Sequence, residues 1–257
     1  MNLSIGIVGL PNVGKSTLFK LLTKKEVLVA NYPFATIDPS VGVVAVPDER
    51  LGALSVLSSS AKTIPAVVEF YDIAGLVKGA SVGEGLGNQF LSHIRETDAI
   101  VQVVRCFPDP GIIHVDESGV DPERDMEIIN AELILKDLDT VDRRLVSLEK
   151  EARADAKKAK DVSIIKEIKE GLERGMLARN VREGLADEPV VRELQLLTMK
   201  PQIYLLNGEE GDAPGALKEK IAGLRSGYVV YNLALAEDLE DLIRKAYEIL
   251  GLISFFT

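Results

Sequence analysis

The stretch that most constrains this chain is Gly9-Leu-Pro-Asn-Val-Gly-Lys-Ser-Thr17. It lies between a short β-prone apolar run, Leu3 to Val8, and a run of helical composition, Leu18 to Leu22. The spacing Gly-x-x-x-x-Gly-Lys-Ser, with a strand before it and a helix after it, is that of a phosphate-binding loop in its required context. Gly9 and Gly14 accept backbone angles that a Cβ would forbid. The amides of Asn12, Val13, Gly14, Lys15, Ser16 and Thr17 can then turn inward around an anion at the positive end of the following helix. A nucleoside triphosphate is the expected occupant. Lys15 is expected on the β- and γ-phosphates, the Ser16 hydroxyl on Mg²⁺, and Thr17 on a phosphate or as a local cap.

The chain has 257 residues, enough for one large domain or two small ones, and 46% hydrophobic with 27% charged residues is a globular composition. No apolar run approaches the roughly eighteen residues of a membrane span, and the first residues carry no secretory pattern. A cytoplasmic location without membrane contact is therefore expected. One cysteine, Cys106, excludes an intramolecular disulfide, and with His93 and His114 the only histidines a zinc cluster is not expected. Cys106 is expected to be buried in or just beyond a strand. A net charge of −10 argues against a surface that coats nucleic acid, so no DNA specificity is expected, although a local basic patch remains compatible with it.

Asn31 to Pro39 reads as a Pro-bounded surface loop between the first helix and the strand Val41 to Val46, and it offers Thr36 to the γ-phosphate and Mg²⁺. Arg50 to Leu57 reads as a short helix. The strand Val67 to Tyr71 delivers Asp72-Ile-Ala-Gly75, where Asp72 would hold Mg²⁺ through water and the Gly75 amide would sense the γ-phosphate. Switch-type hydrolases place a water-orienting glutamine after that glycine, but here the position is Leu76. An aliphatic side chain cannot polarise water, so another group must do so or hydrolysis is slow. Gly79, Gly83, Gly85 and Gly87 predict a loop over Lys78 to Asn88 able to reorder with nucleotide state. A helix over Gln89 to Thr97 and a doubly buried strand over Ala99 to Val104 follow. The next loop, from Phe107, carries His114, a candidate catalytic replacement for the absent glutamine.

From Pro122 the pattern becomes long polar helix. Ile134, Leu138, Val141, Leu145, Leu148 and Ala152 alternate spacings of four and three, a heptad seam, and Ile165, Ile168, Leu172 and Met176 supply a second helix. Between Arg153 and Lys169 six Lys or Arg face three acids, so the tip of this coiled-coil hairpin is locally basic and RNA or ribosome contact is one reading of it. Pro201 to Leu206 returns to strand and delivers Asn207-Gly-Glu-Glu210. Guanine-binding proteins carry Asn-Lys-x-Asp at this edge. With Gly208 and Glu210 in place of the lysine stem and the aspartate, guanine specificity should be weak and adenine becomes a serious candidate. Tyr228 to Asn232 reads as another strand, Leu233 to Glu237 as the last base-side loop with Leu233 and Ala234 as its candidate contacts, and Leu239 to Leu250 as a closing amphipathic helix.

Together these strings resemble the YchF family, the Obg-related P-loop ATPases of the GTPase superfamily. The likeness rests on residues 9–17, 31–39, Asp72-Ile-Ala-Gly-Leu-Val-Lys-Gly-Ala80, Gly83-Glu-Gly-Leu-Gly-Asn-Gln-Phe-Leu91 and Val104-Arg-Cys-Phe107. The resemblance implies ATP preference, ribosome association, a coiled-coil insertion, and a catalytic histidine after Val-Arg-Cys-Phe, the position of His114. Family members continue into a ubiquitin-like TGS domain after a Leu-Ile-x-Phe-Phe-Thr string; this chain stops within that string at Thr257, so that domain is expected to be lacking. The expected fold is α/β: a P-loop domain with a mostly parallel sheet flanked by helices, in two parts, 1–122 and 199–257, around a helical insertion, 123–198. The expected function is slow Mg²⁺-dependent hydrolysis, ATP before GTP, used as a ribosome-associated conformational switch. Nucleotide contacts are expected from residues 12–17, Thr36, Gly75, Asn207, Glu210, Leu233 and Ala234, and metal contacts from Ser16, Thr36 and Asp72. A true GTPase, a nucleotide-gated RNA- or ribosome-binding module with incidental hydrolysis, and a small-molecule kinase are the competing readings.

Overall fold

The computed structural model describes residues 3–24, 41–73, 86–108, 119–254 and 256, with backbone alone for 86–90. In chain order the elements are β1 (Ser4–Val8), α1 (Lys15–Thr23), β2 (Val41–Ala45), α2 (Glu49–Leu57), β3 (Val67–Asp72), α3 (Leu86–Glu96) and β4 (Ala99–Arg105). They continue with α4 (Pro122–Ala154), α5 (Ala159–Glu173), the single turns α6 (Ala178–Val181) and α7 (Pro189–Arg192), β5 (Gln202–Asn207), α8 (Gly215–Gly223), β6 (Gly227–Tyr231) and α9 (Glu240–Ile249). Among the described residues one six-stranded sheet has the order β2-β3-β1-β4-β5-β6. Within it β2 alone runs antiparallel to its neighbour, β3; β3-β1, β1-β4, β4-β5 and β5-β6 are parallel. The expected mostly parallel sheet flanked by helices is what forms.

Burial explains the pattern. Every residue of β1, β4 and β5 is buried, as strands covered by helices on both faces must be. The carboxyl ends of these parallel strands all point to one edge of the sheet. That edge carries the loop after β1, Asp72 at the end of β3, Cys106-Phe107 after β4, Asn207 at the end of β5 and Asn232 after β6. Cys106 is 7% exposed just beyond β4, and burial pushes its thiol up to about 12, so it stays protonated and inert.

From Pro122 onward the described chain before β5 is largely helical. Asp121 caps α4, accepting the Arg124 amide at 3.1 Å, with Pro122 at the first helical position. The first turns of α4 lie on the sheet through Met126, Ile129 and Leu133, and its later turns pack on α5. The heptad prediction holds for Ile134, Val141 and Leu148, which are buried against Ile165, Ile168 and Leu172. Met176 lies beyond α5, which ends at Glu173 before Gly175 at φ 77°. The junction back to β5 is held by Asp137 of α4. Its buried carboxylate accepts the Leu197 and Thr198 amides at 2.8 and 2.7 Å and the Thr198 hydroxyl at 2.6 Å.

The basic hairpin tip expected from the sequence is largely neutralised in three dimensions. Lys158 pairs with Asp161 at 3.2 Å, Lys160 with Glu188 at 3.0 Å, Lys166 with Glu149 at 2.8 Å and Lys169 with Asp142 at 2.5 Å. Most of these acids lie outside the sequence window that looked basic. Among the described residues no helix is long and apolar enough to cross a membrane.

Candidate nucleotide site

The loop after β1 takes the shape its glycines predict. Gly9 has φ 155°, Asn12 φ 61° and Gly14 φ 109°. A Cβ on Gly9 would come within 2.6 Å of the Val103 carbonyl oxygen, and one on Gly14 within 2.6 Å of Asn207 Nδ2, so neither position has room for a side chain. Gly14 is the residue that caps α1, and no side chain caps the helix with it. The first amides of α1 therefore face the loop as the anion-binding end of the helix. Lys15 is 8% exposed and donates to the Leu10 carbonyl at 2.7 Å. Burial lowers its ammonium to about 8, partly opposed by the negative charge of Asp72. Asp72 reaches this place because β3 pairs with β1, where it lies opposite Ile7.

Asn207 ties the phosphate side to the far side of the site. Its Nδ2 donates to the Val13 carbonyl at 2.9 Å, and its Oδ1 accepts the Leu233 amide at 3.1 Å. A cavity of about 570 Å³ results, lined by Asn12, Val13, Gly14, Lys15, Ser16, Thr17, Asn207, Leu233 and Ala234 together with Phe107 and Asn232. That is large enough for a nucleotide-sized ligand. A cavity of similar volume, about 560 Å³, lies at the opposite, amino edge of the sheet beside Thr97 and Lys200 and has no phosphate loop.

Nine of the residues read from the sequence as nucleotide contacts thus line one cavity. Glu210 does not line it: its exposed carboxylate is bonded by Lys218 from α8. Thr36, Gly75 and His114, with Leu76 and the glycines 79, 83 and 85, lie outside the described residues. Gly87 and Asn88, read as loop, belong to α3, which begins at Leu86. Sequence reasoning missed Phe107 and Asn232. Phe107 was read only as the start of a loop; its carbonyl accepts Arg105 Nε at 3.0 Å, and the Arg105 guanidinium sits 4.7 Å from its ring centroid. Asn232 was read as the last residue of a strand, but β6 ends at Tyr231 and releases it into the loop.

Ser16 and Asp72 supply a hydroxyl and a carboxylate, hard oxygen donors suited to Mg²⁺. No group of three or more His, Cys, Asp or Glu that could hold a metal occurs among the described residues. A cation here would complete its shell with phosphate oxygens and water, which is the habit of Mg²⁺ rather than of zinc or calcium.

Residues 4–166 match the family model described as "50S ribosome-binding GTPase". The ribosome-binding ATPase YchF of Bacillus subtilis is 43% identical over 288 aligned residues, covering 100% of this chain and 78% of that protein. This chain belongs to the YchF family. The YchF protein of Escherichia coli O157:H7 is 48% identical over 211 residues, which cover 82% of this chain and 58% of that relative's length. The solved structure of the Schizosaccharomyces pombe YchF GTPase superposes with a TM-score of 0.75 at 40% identity, covering 97% of this chain and 71% of that one. The loop after β1 and the loops after β5 and β6 meet around one cavity.

Proposed function

We propose that this chain is a Mg²⁺-dependent nucleoside triphosphate hydrolase that prefers ATP to GTP and works in the cytoplasm as a slow, ribosome-associated conformational switch. Relatives named ribosome-binding ATPase support the hydrolytic and ribosomal parts of this reading. The observation that carries the ATP preference is the base side of the cavity. Position 208 is glycine and offers no lysine stem, and the Glu210 carboxylate is engaged by Lys218 away from the cavity lining. The carboxylate that would accept the guanine N1 and N2 protons is therefore missing from the wall.

In this reading the α1 amides and Lys15 hold the phosphates, and Asn207, Leu233 and Ala234 place the base side relative to the phosphate loop. Ser16, Asp72 and Thr36 would hold Mg²⁺, which when bound supplies charge neutralisation at the β- and γ-phosphates. The Gly75 amide would sense the γ-phosphate. Hydrolysis requires a water in line with the γ-phosphorus, whose attack breaks the bond to the β–γ bridging oxygen and releases ADP and phosphate. With Leu76 unable to orient that water, His114 takes the role. Equilibrium competition of ATP against GTP in Mg²⁺ tests the specificity, and equal or tighter GTP binding refutes it. Single-turnover hydrolysis by His114→Ala tests the histidine, and an unchanged rate removes it from the mechanism.

Ribosome association through the hairpin is the second element of the proposal, resting on the relatives' names and on the exposed helical insertion. Charge reversal at Lys157, Lys158 and Lys160 should abolish co-sedimentation with ribosomes while sparing hydrolysis. Retained co-sedimentation would move the contact elsewhere.

A further inference from the structure

β5 and β6 run parallel with Asn207 opposite Tyr231, so the residues leaving the two strands, Gly208-Glu209 and Asn232-Leu233, emerge side by side at the base end of the cavity. The Gly208 amide continues the pairing by donating to the Tyr231 carbonyl at 3.0 Å. Asn232 lines the cavity, and its amide is held twice. Nδ2 donates to Glu209 Oε1 at 2.7 Å, and Oδ1 accepts the Ala234 amide at 3.1 Å. The Asn232 carbonyl also accepts the Leu235 and Ala236 amides at 3.0 and 2.9 Å, which closes the loop into a turn.

These partners fix which way the amide faces. Turned over, it would set its oxygen against the Glu209 carboxylate and its NH₂ against the Ala234 N–H. A primary amide has two N–H donors and two oxygen lone pairs. With one of each engaged, one donor and one acceptor remain for a ligand. Adenine presents an acceptor at N7 beside a donor at its 6-amino group, whereas guanine presents two acceptors, N7 and O6. An amide that cannot turn over matches the first pair and leaves its oxygen facing an oxygen in the second.

We propose that Asn232, oriented by Glu209, reads the 6-position and N7 of the purine and so sets adenine over guanine. This rests on the cavity being a nucleoside triphosphate site. Asn232 touches the base; Glu209 is a positioning residue that acts through it. Asn207 is distinct in role, since it is 5% exposed and its amide joins Val13 on one wall of the cavity to Leu233 on the other.

The test is displacement of a ribose-labelled fluorescent ADP by ATP, GTP, ITP and 7-deaza-ATP in the presence of Mg²⁺. The wild-type chain is expected to bind ATP more tightly than GTP, ITP and 7-deaza-ATP, since the last lacks the N7 acceptor. Asn232→Ala is expected to narrow the ATP-to-GTP ratio by about tenfold through lost ATP affinity, in the range that a bidentate amide–adenine pair supplies. Glu209→Ala should narrow it in the same direction, and Glu209→Gln, which keeps an acceptor for Nδ2, should restore it. Wild-type chain that prefers GTP would refute the ATP reading itself. An ATP-preferring wild type that binds 7-deaza-ATP as tightly as ATP, or whose ratio survives both alanine variants, would overturn the assignment to Asn232 alone.

Discussion

Asn207→Ala is the substitution that most directly tests how the site is assembled. The wild-type side chain is 5% exposed and bridges the phosphate loop to the loop after β6, donating to the Val13 carbonyl at 2.9 Å and accepting the Leu233 amide at 3.1 Å. Alanine leaves a buried carbonyl and a buried amide without partners, and each costs about 1–2 kcal/mol, about 2–4 kcal/mol together. For a chain of this size that lowers the melting temperature by about 4–15 °C. Affinity for nucleotide should fall by at least about tenfold, because two walls of the cavity lose their common anchor. Asn207→Asp should be no better. It keeps an acceptor for Leu233 but sets a carboxylate against the Val13 carbonyl oxygen. Thermal scanning without nucleotide, followed by nucleotide titration at a temperature where each variant is folded, separates the two effects. A melting temperature within about 1 °C of wild type together with unchanged affinity would refute the bridge.

Three further outcomes follow from the same geometry. Lys15 is held at about 8 by burial, below its ordinary 10.5. Between those values the unfolded chain binds more protons than the folded one, so stability rises as pH goes from about 8 toward 10.5, and burying the charged lysine costs stability below that window. A triphosphate needs the ammonium, so affinity should be about tenfold weaker at pH 9 than at pH 7, and Lys15→Met should abolish the slope; a flat profile in wild type would contradict this. Glu210→Gln should leave ATP affinity within about twofold, since it removes only an exposed ion pair with Lys218, and a larger loss in the same titration would return Glu210 to the base. Asp137→Ala should destabilise by about 2 kcal/mol in urea denaturation, because two buried amides lose their acceptor while the burial of a carboxylate is relieved. No change in the denaturation midpoint would show that the junction does not depend on it.

The parts of the fold that were legible in the sequence are those governed by local periodicity and by glycine. The apolar runs at β1, β4 and β5, the heptad seam of α4, and the strand–loop–helix around Gly9 to Thr17 all formed close to their expected bounds, with α1 starting three residues earlier, at Lys15. Contacts between residues far apart in the chain were not legible. Arg153 to Lys169 looked basic because a sequence window counts only its own charges, whereas Glu149, Asp142 and Glu188 arrive from neighbouring turns and helices to pair with its lysines. Glu210 looked like a base ligand by its spacing from Asn207, yet Lys218 of α8 engages it.

The sequence by itself therefore determined that this chain builds a phosphate loop at the carboxyl edge of a parallel sheet. The necessary information, glycines at required backbone angles and apolar residues at strand period, is written within a few residues of where it acts. Only the tertiary structure added Phe107 and Asn232 to the other wall of the cavity and left Glu210 out of it. Sheet register sets Asn207 opposite Tyr231 and so brings Asn232 beside Glu209, and a side-chain amide acquires a fixed orientation only from partners that the fold carries to it.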